Sequence, residues 1–383
     1  MANATGDASK SGYIAYINIA KALAIFLVCY YHFSTTGDIG WSNSMSVESV
    51  IGRVVYNIAA ACVPLFFMCT GALLLNSSRF DHLKNLKRAG AAYLQFVAWA
   101  AISILLIGAY NGVLREINFK DVIGVFLGAT NISRGDVNLV ALGHLWFIPA
   151  YIGVVLLVPF LRTVLADARQ GWMSYLALIA VIVVSIHVMN TLRIAFPYSA
   201  AFNSMDPTLP AFTPFIHLGG AMTVYAIIGG LAHRYRDAVR KQIPLYIWFV
   251  TLAVGITIGF WEWKTKVTGP EPEYDYVFEA YTTLSGFLMA ISIFMMLLTC
   301  IHDDANPRGL RFWWDLVATN TLVIYYVHFI LGATVQMEFM DKVPMPSNLL
   351  INTIRALLLI GFSVGIGAIL KRYRYTRFLT GGS

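Results

Sequence analysis

Ten apolar runs, each near the length that crosses a lipid bilayer, follow one another along the chain. They cover residues 13–33, 50–75, 89–109, 144–165, 172–189, 217–233, 243–263, 279–301, 316–337 and 348–370. A spanning helix needs roughly 20 apolar residues, and 58% of the 383 residues are hydrophobic whereas 12% are charged. No soluble domain of this size has that balance. The sequence therefore predicts an all-α polytopic membrane protein, a single integral-membrane domain over residues 1–383 with no appended soluble domain.

The basic residues between these runs predict the orientation of the helices. If the N-terminus is cytoplasmic, the inward segments hold 17 lysines and arginines, and the outward segments with their helix ends hold 8. Because basic loops remain on the cytoplasmic side, this bias predicts about ten transmembrane helices with both termini cytoplasmic. The net charge of +7 then follows from basic loops that face anionic membrane lipids, so no nucleic-acid partner is inferred. The basic, aromatic segment 371–378 is predicted to lie on the lipid surface.

The first apolar run carries two ionisable residues, Lys21 and His32, which are eleven residues apart. At 3.6 residues per turn they share one helix face and stand about 16 Å apart along the axis. A charge within the membrane is costly, so two ionisable groups on one face indicate a function. Their separation suits a long, thin ligand that is charged at one end and reactive at the other. An anion or a buried carboxylate is the expected partner of Lys21.

Two further histidines lie within apolar runs. His144 opens the fourth run beside Trp146, and His328 lies midway along the ninth run in one helical stripe with Tyr325. A histidine can take a proton from a hydroxyl group at neutral pH. Each also has a structural interpretation: His144 and Trp146 as anchors at the membrane interface, and His328 as a hydrogen-bonding residue between helices.

A basic cluster, Lys84, Lys87 and Arg88, lies at the inner end of the third run. It is either ordinary positive charge on the cytoplasmic side or a site for the phosphates of a nucleotide. The four cysteines all lie within apolar runs, without the spacing of disulfide or zinc ligands, so no metal site is predicted.

Four stretches of the chain resemble the family-three membrane acyltransferases, in the order in which that family carries them. The first helix has a basic residue, ten intervening residues and a histidine, with Lys21 where many members have arginine. The second stretch has Thr70 where serine is usual before Gly71. The stretches are INIAKALAIFLVCYYHF (17–33), VPLFFMCTGALLL (63–75), GHLWFIPAYIGVVLLVPFL (143–161) and LVIYYVHFIL (322–331).

The resemblance implies a membrane O-acyltransferase of the bacterial cytoplasmic membrane. It implies an acyl-CoA donor, most often acetyl-CoA, with the CoA head inside the cell. The acceptor is then a hydroxyl group of a sugar, polysaccharide or lipid-linked glycan outside. By this resemblance His32 is the essential histidine, expected to act as the general base, and Lys21 is its basic partner. His144, Trp146, Tyr325 and His328 are expected to support the substrates.

The family's arginine pair before the third helix is altered in this chain. Many members have two arginines at three-residue spacing; here Arg88 matches the second and Asn85 stands at the first, with Lys84 and Lys87 beside them. We expect Lys84, Lys87 and Arg88 to bind the CoA head together with Lys21.

The alternative class is a secondary transporter or proton-coupled permease, which ten helices and scattered intramembrane histidines also fit. Such a protein is expected to show an internal repeat with broken helices at matching places in its two halves. The sequence shows no such repeat. An acyltransferase therefore explains the ionisable residues of the first helix better.

Overall fold

The computed structural model describes residues 14–33, 47–78, 80–129, 131–134, 137–166, 179–180, 183–188, 190–192, 218–267, 280–302, 308–336 and 349–381. These residues are mostly helical. Their α-helices are α1 (Ala15–Phe33), α2 (Val47–Ala59), α3 (Cys62–Leu75), α4 (His82–Tyr110), α5 (Phe119–Phe126), α6 (Phe147–Ala166), α7 (Leu218–Arg234), α8 (Arg236–Gln242), α9 (Leu245–Val267), α10 (Leu284–Cys300), α11 (Arg308–Thr319), α12 (Thr321–Leu331) and α13 (Leu349–Arg372).

Several of these helices can cross a membrane. In the described part of the chain six are long and apolar enough, or seven if the bent pair α11 and α12 is counted as one span. Helices α7 and α10 are apolar but have only 17 residues each. The predicted run 172–189 lies mostly outside the described residues. The protein is thus a helical membrane protein with several spans, while ten helices and cytoplasmic termini remain predictions.

Helix α1 lies inside the bundle and packs against α3, α10, α11, α12 and α13. A helix that is apolar on all sides needs neighbours on all sides, and α1 is such a helix. Tyr16, Ile17, Ile25 and Tyr30 are each at most 1% exposed. The face that carries Lys21 and His32 is therefore enclosed by other helices rather than by lipid.

Two predicted spans are not single straight α-helices: one contains a short turn, and one is bent. The run 50–75 is divided at Ala60 and Ala61 into α2 and α3. The run 316–337 begins inside α11, which meets α12 at an angle of 72°. The exposed aromatic rings of Phe312 and Trp313 lie on α11, as expected for a helix that lies along the membrane interface.

Two segments differ from the expected form. The segment after α5 contains an antiparallel hairpin, β1 (Asn131–Arg134) with β2 (Val137–Ala141), so the chain is not helical throughout. The segment after α13 was expected on the lipid surface, and Tyr375 is indeed 87% exposed. Its end, however, forms a 3₁₀ turn, Arg377–Thr380, that packs into the bundle. Leu379 and Thr380 are buried there.

Candidate functional site

A cavity of about 920 Å³ lies between α1, α3, α4, α6, α12 and the turn after α13. That volume is in the range of sites that enclose small-molecule ligands. Its lining combines cations, hydroxyl groups and aromatic rings. The lining residues include Lys21, Thr70, Lys84, Asn85, Lys87, Arg88, Gln95, Phe147, Thr319, Thr321, Tyr325, Tyr326, Thr380 and Gly381.

The mouth of the cavity is basic. Lys84, Lys87 and Arg88 lie on the exposed first turns of α4 and all line the cavity. Asp81 begins this helix as its N-cap, accepting a hydrogen bond from the backbone N–H of Lys84 at 3.1 Å. That bond holds the pKa of the Asp81 carboxyl below its usual range, because it stabilises the carboxylate. Among the described residues, none of the three cations forms an ion pair.

Other basic residues expected on the same side of the membrane have structural partners. Arg162 donates from its guanidinium to the carbonyl oxygens of Leu74, Leu75 and Ser77 at 2.9 to 3.0 Å. It thereby caps the C-terminal end of α3, where carbonyl groups lack helical partners. Arg240 caps α10 in the same way. Lys84, Lys87 and Arg88 thus differ from Arg162 and Arg240 in that they line the cavity.

Asn85 has a buried position on α4. It is 2% exposed, and its Nδ2 donates to the backbone carbonyl of Val155 on α6 at 2.7 Å. This hydrogen bond ties α4 to α6 beside the cavity that Asn85 also lines. The positive charge at the mouth comes instead from Lys84, Lys87 and Arg88.

Lys21 lies farther along the same wall, on α1, and is half-buried. In the part of the chain that the structure describes, no carboxylate lies within ion-pair distance of its ammonium group. Cys69 is near enough for the lysine charge to act on its thiol. Because Lys21 lines the cavity, an anion bound there would lie within reach of its charge.

The three histidines singled out by the sequence converge at one place. The ring centroids of His32 and His328 are 5.4 Å apart, and those of His144 and His328 are 6.1 Å apart. Phe329 is shared between them: the His144 ring stacks on it at 4.0 Å, and the His32 ring meets it edge-on at 5.6 Å. Residues from α1, α12 and the turn before α6 therefore form one histidine cluster (His32, His144 and His328).

Tyr325 joins the histidine cluster to the cavity. It lines the cavity, its hydroxyl donates to the backbone carbonyl of His144, and its ring centroid is 6.1 Å from that of His328. Nδ1 of His328 lies 2.9 Å from the carbonyl of Ile324, which assigns the proton of the neutral ring to Nδ1. Nε2 of His328 is then an acceptor. The cavity thus leads from the basic mouth past Lys21 to Tyr325, behind which the histidine cluster lies; the three histidines do not themselves line it.

Trp146 and Glu262 lie outside the lining of this cavity. Trp146 does not line the cavity; the centroid of its ring is 5.7 Å from that of Tyr281. Glu262 is fully buried and accepts hydrogen bonds from Thr191 at 2.7 Å and Ser285 at 2.5 Å. Sequence reasoning overlooked Glu262, although a single acid inside the apolar run 243–263 was a sufficient signal.

The cavity also has walls that no sequence pattern indicated. Tyr326 stacks on Trp99 of α4 with 5.2 Å between centroids, and Thr380 and Gly381 enter from the far end of the chain. Among the described residues, no group of three histidine, cysteine, aspartate or glutamate side chains is placed to hold a metal ion.

Comparison with protein families gives one match. A family model described as an acyltransferase domain matches residues 14–372, which include the four stretches 17–33, 63–75, 143–161 and 322–331. Comparisons with curated proteins and with solved structures gave no match. The matched range covers every helix that contributes to the cavity and the histidine cluster, and it stops just before the turn that carries Thr380.

Proposed function

Since the chain belongs to acyltransferase family 3, we propose that it transfers an acyl group, most simply acetyl, from cytoplasmic acyl-CoA to a hydroxyl group of an envelope glycan. Family membership makes the protein a membrane acyltransferase that uses an acyl donor and an acceptor. The identity of the donor, the acceptor and the residues that act on them is the proposal.

The observation that carries the proposal is the continuity of the cavity. It joins three cations at the mouth, Lys84, Lys87 and Arg88, to Tyr325, which contacts the histidine cluster. Acyl-CoA has phosphates at one end and a thioester at the other, joined by a long arm. A cavity with cations at one end and, at the other, a tyrosine in contact with two of the imidazoles matches that order.

Lys21 lies between these ends and supports the same assignment. It is eleven residues from His32 on α1, about 16 Å along the helix axis. Its ammonium group lies on the cavity wall without a carboxylate partner among the described residues. An unpaired cation within the membrane is costly, and a donor anion offsets that cost when it binds.

His32 is proposed as the general base. It takes the proton from the acceptor hydroxyl as the hydroxyl oxygen bonds to the thioester carbonyl carbon. The carbon–sulfur bond then breaks, and the proton passes to the departing sulfur, so that CoA leaves as a thiol. In the alternative route the ring nitrogen of His32 attacks the thioester and CoA leaves as a thiolate; the acceptor hydroxyl then takes the acyl group from the histidine, and its proton passes to the thiolate.

The neighbouring rings position His32 and the acceptor. His328 is fixed through Nδ1 by the carbonyl of Ile324, and its ring lies against His32. His144 is 3% exposed, and neither of its ring nitrogens is hydrogen-bonded to the described residues. Because buried polar atoms are rarely left without partners, His144 is proposed to bond the acceptor hydroxyl.

Replacing His32 tests the proposal. We expect His32→Ala to reduce acetyl transfer by about 10²- to 10⁴-fold, the usual contribution of a general base. Label from acetyl-CoA that enters the envelope glycan and lipid fractions of membrane vesicles is the measurement. The exposed His302 after α10 provides the matched control, because His302→Ala changes a histidine far from the cavity. Normal transfer by a folded His32→Ala protein would refute the assignment of His32 as the general base. Absence of transfer by the unsubstituted protein would favour the transporter alternative.

A further inference from the structure

The end of the chain forms part of the cavity wall. Thr380 and Gly381 line the cavity together with Gln95 of α4 and with Leu322 and Tyr326 of α12. Thr380 is 4% exposed although it lies eight residues beyond the last spanning helix, which ends at Arg372. The segment is therefore inserted between α4 and α12 rather than placed on the membrane surface.

Helix α4 holds this turn in place through two hydrogen bonds to its backbone. Nε2 of Gln95 donates to the carbonyl of Phe378 at 2.8 Å, and Nε1 of Trp99 donates to the carbonyl of Leu379 at 3.0 Å. Trp99 in turn stacks on Tyr326. Helix α4 thus both carries the basic mouth and binds the turn. Along α4, Gln95 lies about 10 Å from Arg88.

The four threonine hydroxyl groups of the cavity wall have one chemical property in common. The hydroxyl of Thr380 donates to the carbonyl of Arg377 at 2.7 Å. The other three lining threonines also donate to backbone carbonyls: Thr70 to Phe66 and Thr319 to Asp315 within their helices, and Thr321 to Ala318 across the bend between α11 and α12. A hydroxyl has one proton and two acceptor lone pairs, so each of these oxygens presents only acceptors to the cavity.

A ligand that suits this wall carries anionic groups at one end and N–H groups along its length. The pantetheine arm of acyl-CoA carries two amide N–H groups between the phosphates and the thioester. We propose that the turn Arg377–Gly381 is a wall of the donor site and that the Thr380 hydroxyl accepts a hydrogen bond from an amide of this arm. The inference rests on the proposed function, because it takes acyl-CoA as the donor.

Gly381 explains how the turn fits against α12. Its φ of +74° is in the left-handed region, which glycine adopts without strain. A Cβ added there would lie 2.9 Å from Cδ2 of Leu322. The chain therefore approaches α12 closely at this residue, which places Thr380 beside the cavity.

Equilibrium binding of labelled acetyl-CoA to the purified protein tests the inference. Thr380→Val keeps the shape of the side chain and removes the hydroxyl, so we expect the Kd to rise about threefold to tenfold, the usual effect of one hydrogen bond. We expect kcat at saturating donor to change little and Thr380→Ser to retain the parental Kd. Thr376→Val is the matched control, because the Thr376 hydroxyl donates to Leu370 in the same segment but does not line the cavity.

The outcomes separate the two proposals. If the unsubstituted protein binds no acetyl-CoA, both the donor assignment and the wall are wrong. If it binds acetyl-CoA and Thr380→Val binds it with the same Kd, the wall alone is wrong. A Kd raised as much by Thr376→Val as by Thr380→Val would also contradict the inference, because the effect would then come from the fold of the segment.

Protection of a cysteine provides a second measurement, which does not depend on the valine variant folding. In a background with Cys300→Ser, which removes the exposed native thiol, Thr380→Cys and Ala91→Cys are labelled with a small thiol reagent. We expect acetyl-CoA to protect both positions, and adenosine 3′,5′-bisphosphate, which lacks the arm, to protect only Ala91→Cys. The exposed Tyr375→Cys should be labelled in every case. Unchanged labelling of Thr380→Cys with acetyl-CoA, or no labelling at all, would overturn the inference.

Discussion

The environment of Lys21, lipid or cavity, depends on the helices that pack around α1. A lysine in the middle of a spanning helix can often reach the membrane surface with its long side chain. Helix α1, however, is packed on most sides by other helices, so Lys21 lies on a cavity wall rather than beside lipid. Its charge therefore acts on the contents of the cavity.

Substitution of Lys21 separates the need for charge from the need for shape. We expect Lys21→Arg to retain acetyl-CoA binding, and Lys21→Met to raise its Kd about tenfold to hundredfold, since a hydrogen bond to a charged group contributes about 1.5–3 kcal/mol. Lys241→Met, on the exposed surface of α8, is the control for loss of one basic residue. Equal donor affinity of Lys21→Met and the parent would mean that Lys21 does not bind the donor.

Among the helices, α3 and α7 make the closest approach that the structure describes. A Cβ at Gly71 of α3 would overlap the backbone of Ala226 of α7, and one at Gly229 of α7 would overlap the backbone of Met68 of α3. Small residues allow such contact between membrane helices. Since α3 also carries Phe66 and Thr70, this contact sets the position of one cavity wall.

A methyl group at this contact should destabilise the bundle. We expect Gly71→Ala to cost at least about 1–3 kcal/mol, the range for overpacking, because backbone atoms cannot turn aside as a side chain can. Gly90→Ala on α4 is the matched control, since nothing lies within 4 Å of the added Cβ. There we expect no loss of stability, because alanine favours a helix. The midpoint of thermal unfolding in detergent is the measurement, and equal midpoints for the two variants would contradict the close packing.

The bend between α11 and α12 has a local cause. Asn320 separates the two helices, its Nδ2 donates to the carbonyl of Leu316, and its Oδ1 accepts from Lys371 at 2.7 Å. An asparagine side chain that bonds to nearby backbone competes with helix continuation. The bend brings Thr319 and Thr321, on either side of it, to the cavity wall.

For the whole molecule, the distribution of charge predicts two faces with different substrates. If the N-terminus is cytoplasmic, as the count of lysines and arginines predicts, the basic mouth opens on the cytoplasmic side. The histidine cluster lies beyond Tyr325, which lines the cavity and donates to the backbone carbonyl of His144. Donor and acceptor would then approach from opposite sides.

Sealed, right-side-out vesicles with an acceptor only outside test this arrangement. We expect acetyl-CoA trapped inside to support acetylation and acetyl-CoA added only outside to fail, because the CoA head is too polar to cross the bilayer. Vesicles permeabilised with detergent are the control, in which outside donor should work. Equal activity with outside donor in intact vesicles would show that the orientation, or the course of the donor through the protein, is wrong.

The sequence alone determined the local properties of the chain. Its apolar runs predicted a helical membrane protein, and four short stretches predicted the family, which the match over residues 14–372 confirmed. Helical periodicity placed Lys21 and His32 on one face of α1. These inferences succeed because hydrophobic length and residue spacing are properties of neighbouring residues.

Only the tertiary structure decided which distant residues meet. His32, His144 and His328 are separated by more than one hundred residues each, and nothing in their spacing shows that they converge. The segment 371–378 is predicted to lie on the lipid surface, but its end forms the turn Arg377–Thr380 that enters the bundle, because α4 offers hydrogen-bond donors to the backbone carbonyls of Phe378 and Leu379. Helix packing in a membrane depends on close contacts and a few polar bonds between elements, so it is decided by the assembled bundle and not by any one segment.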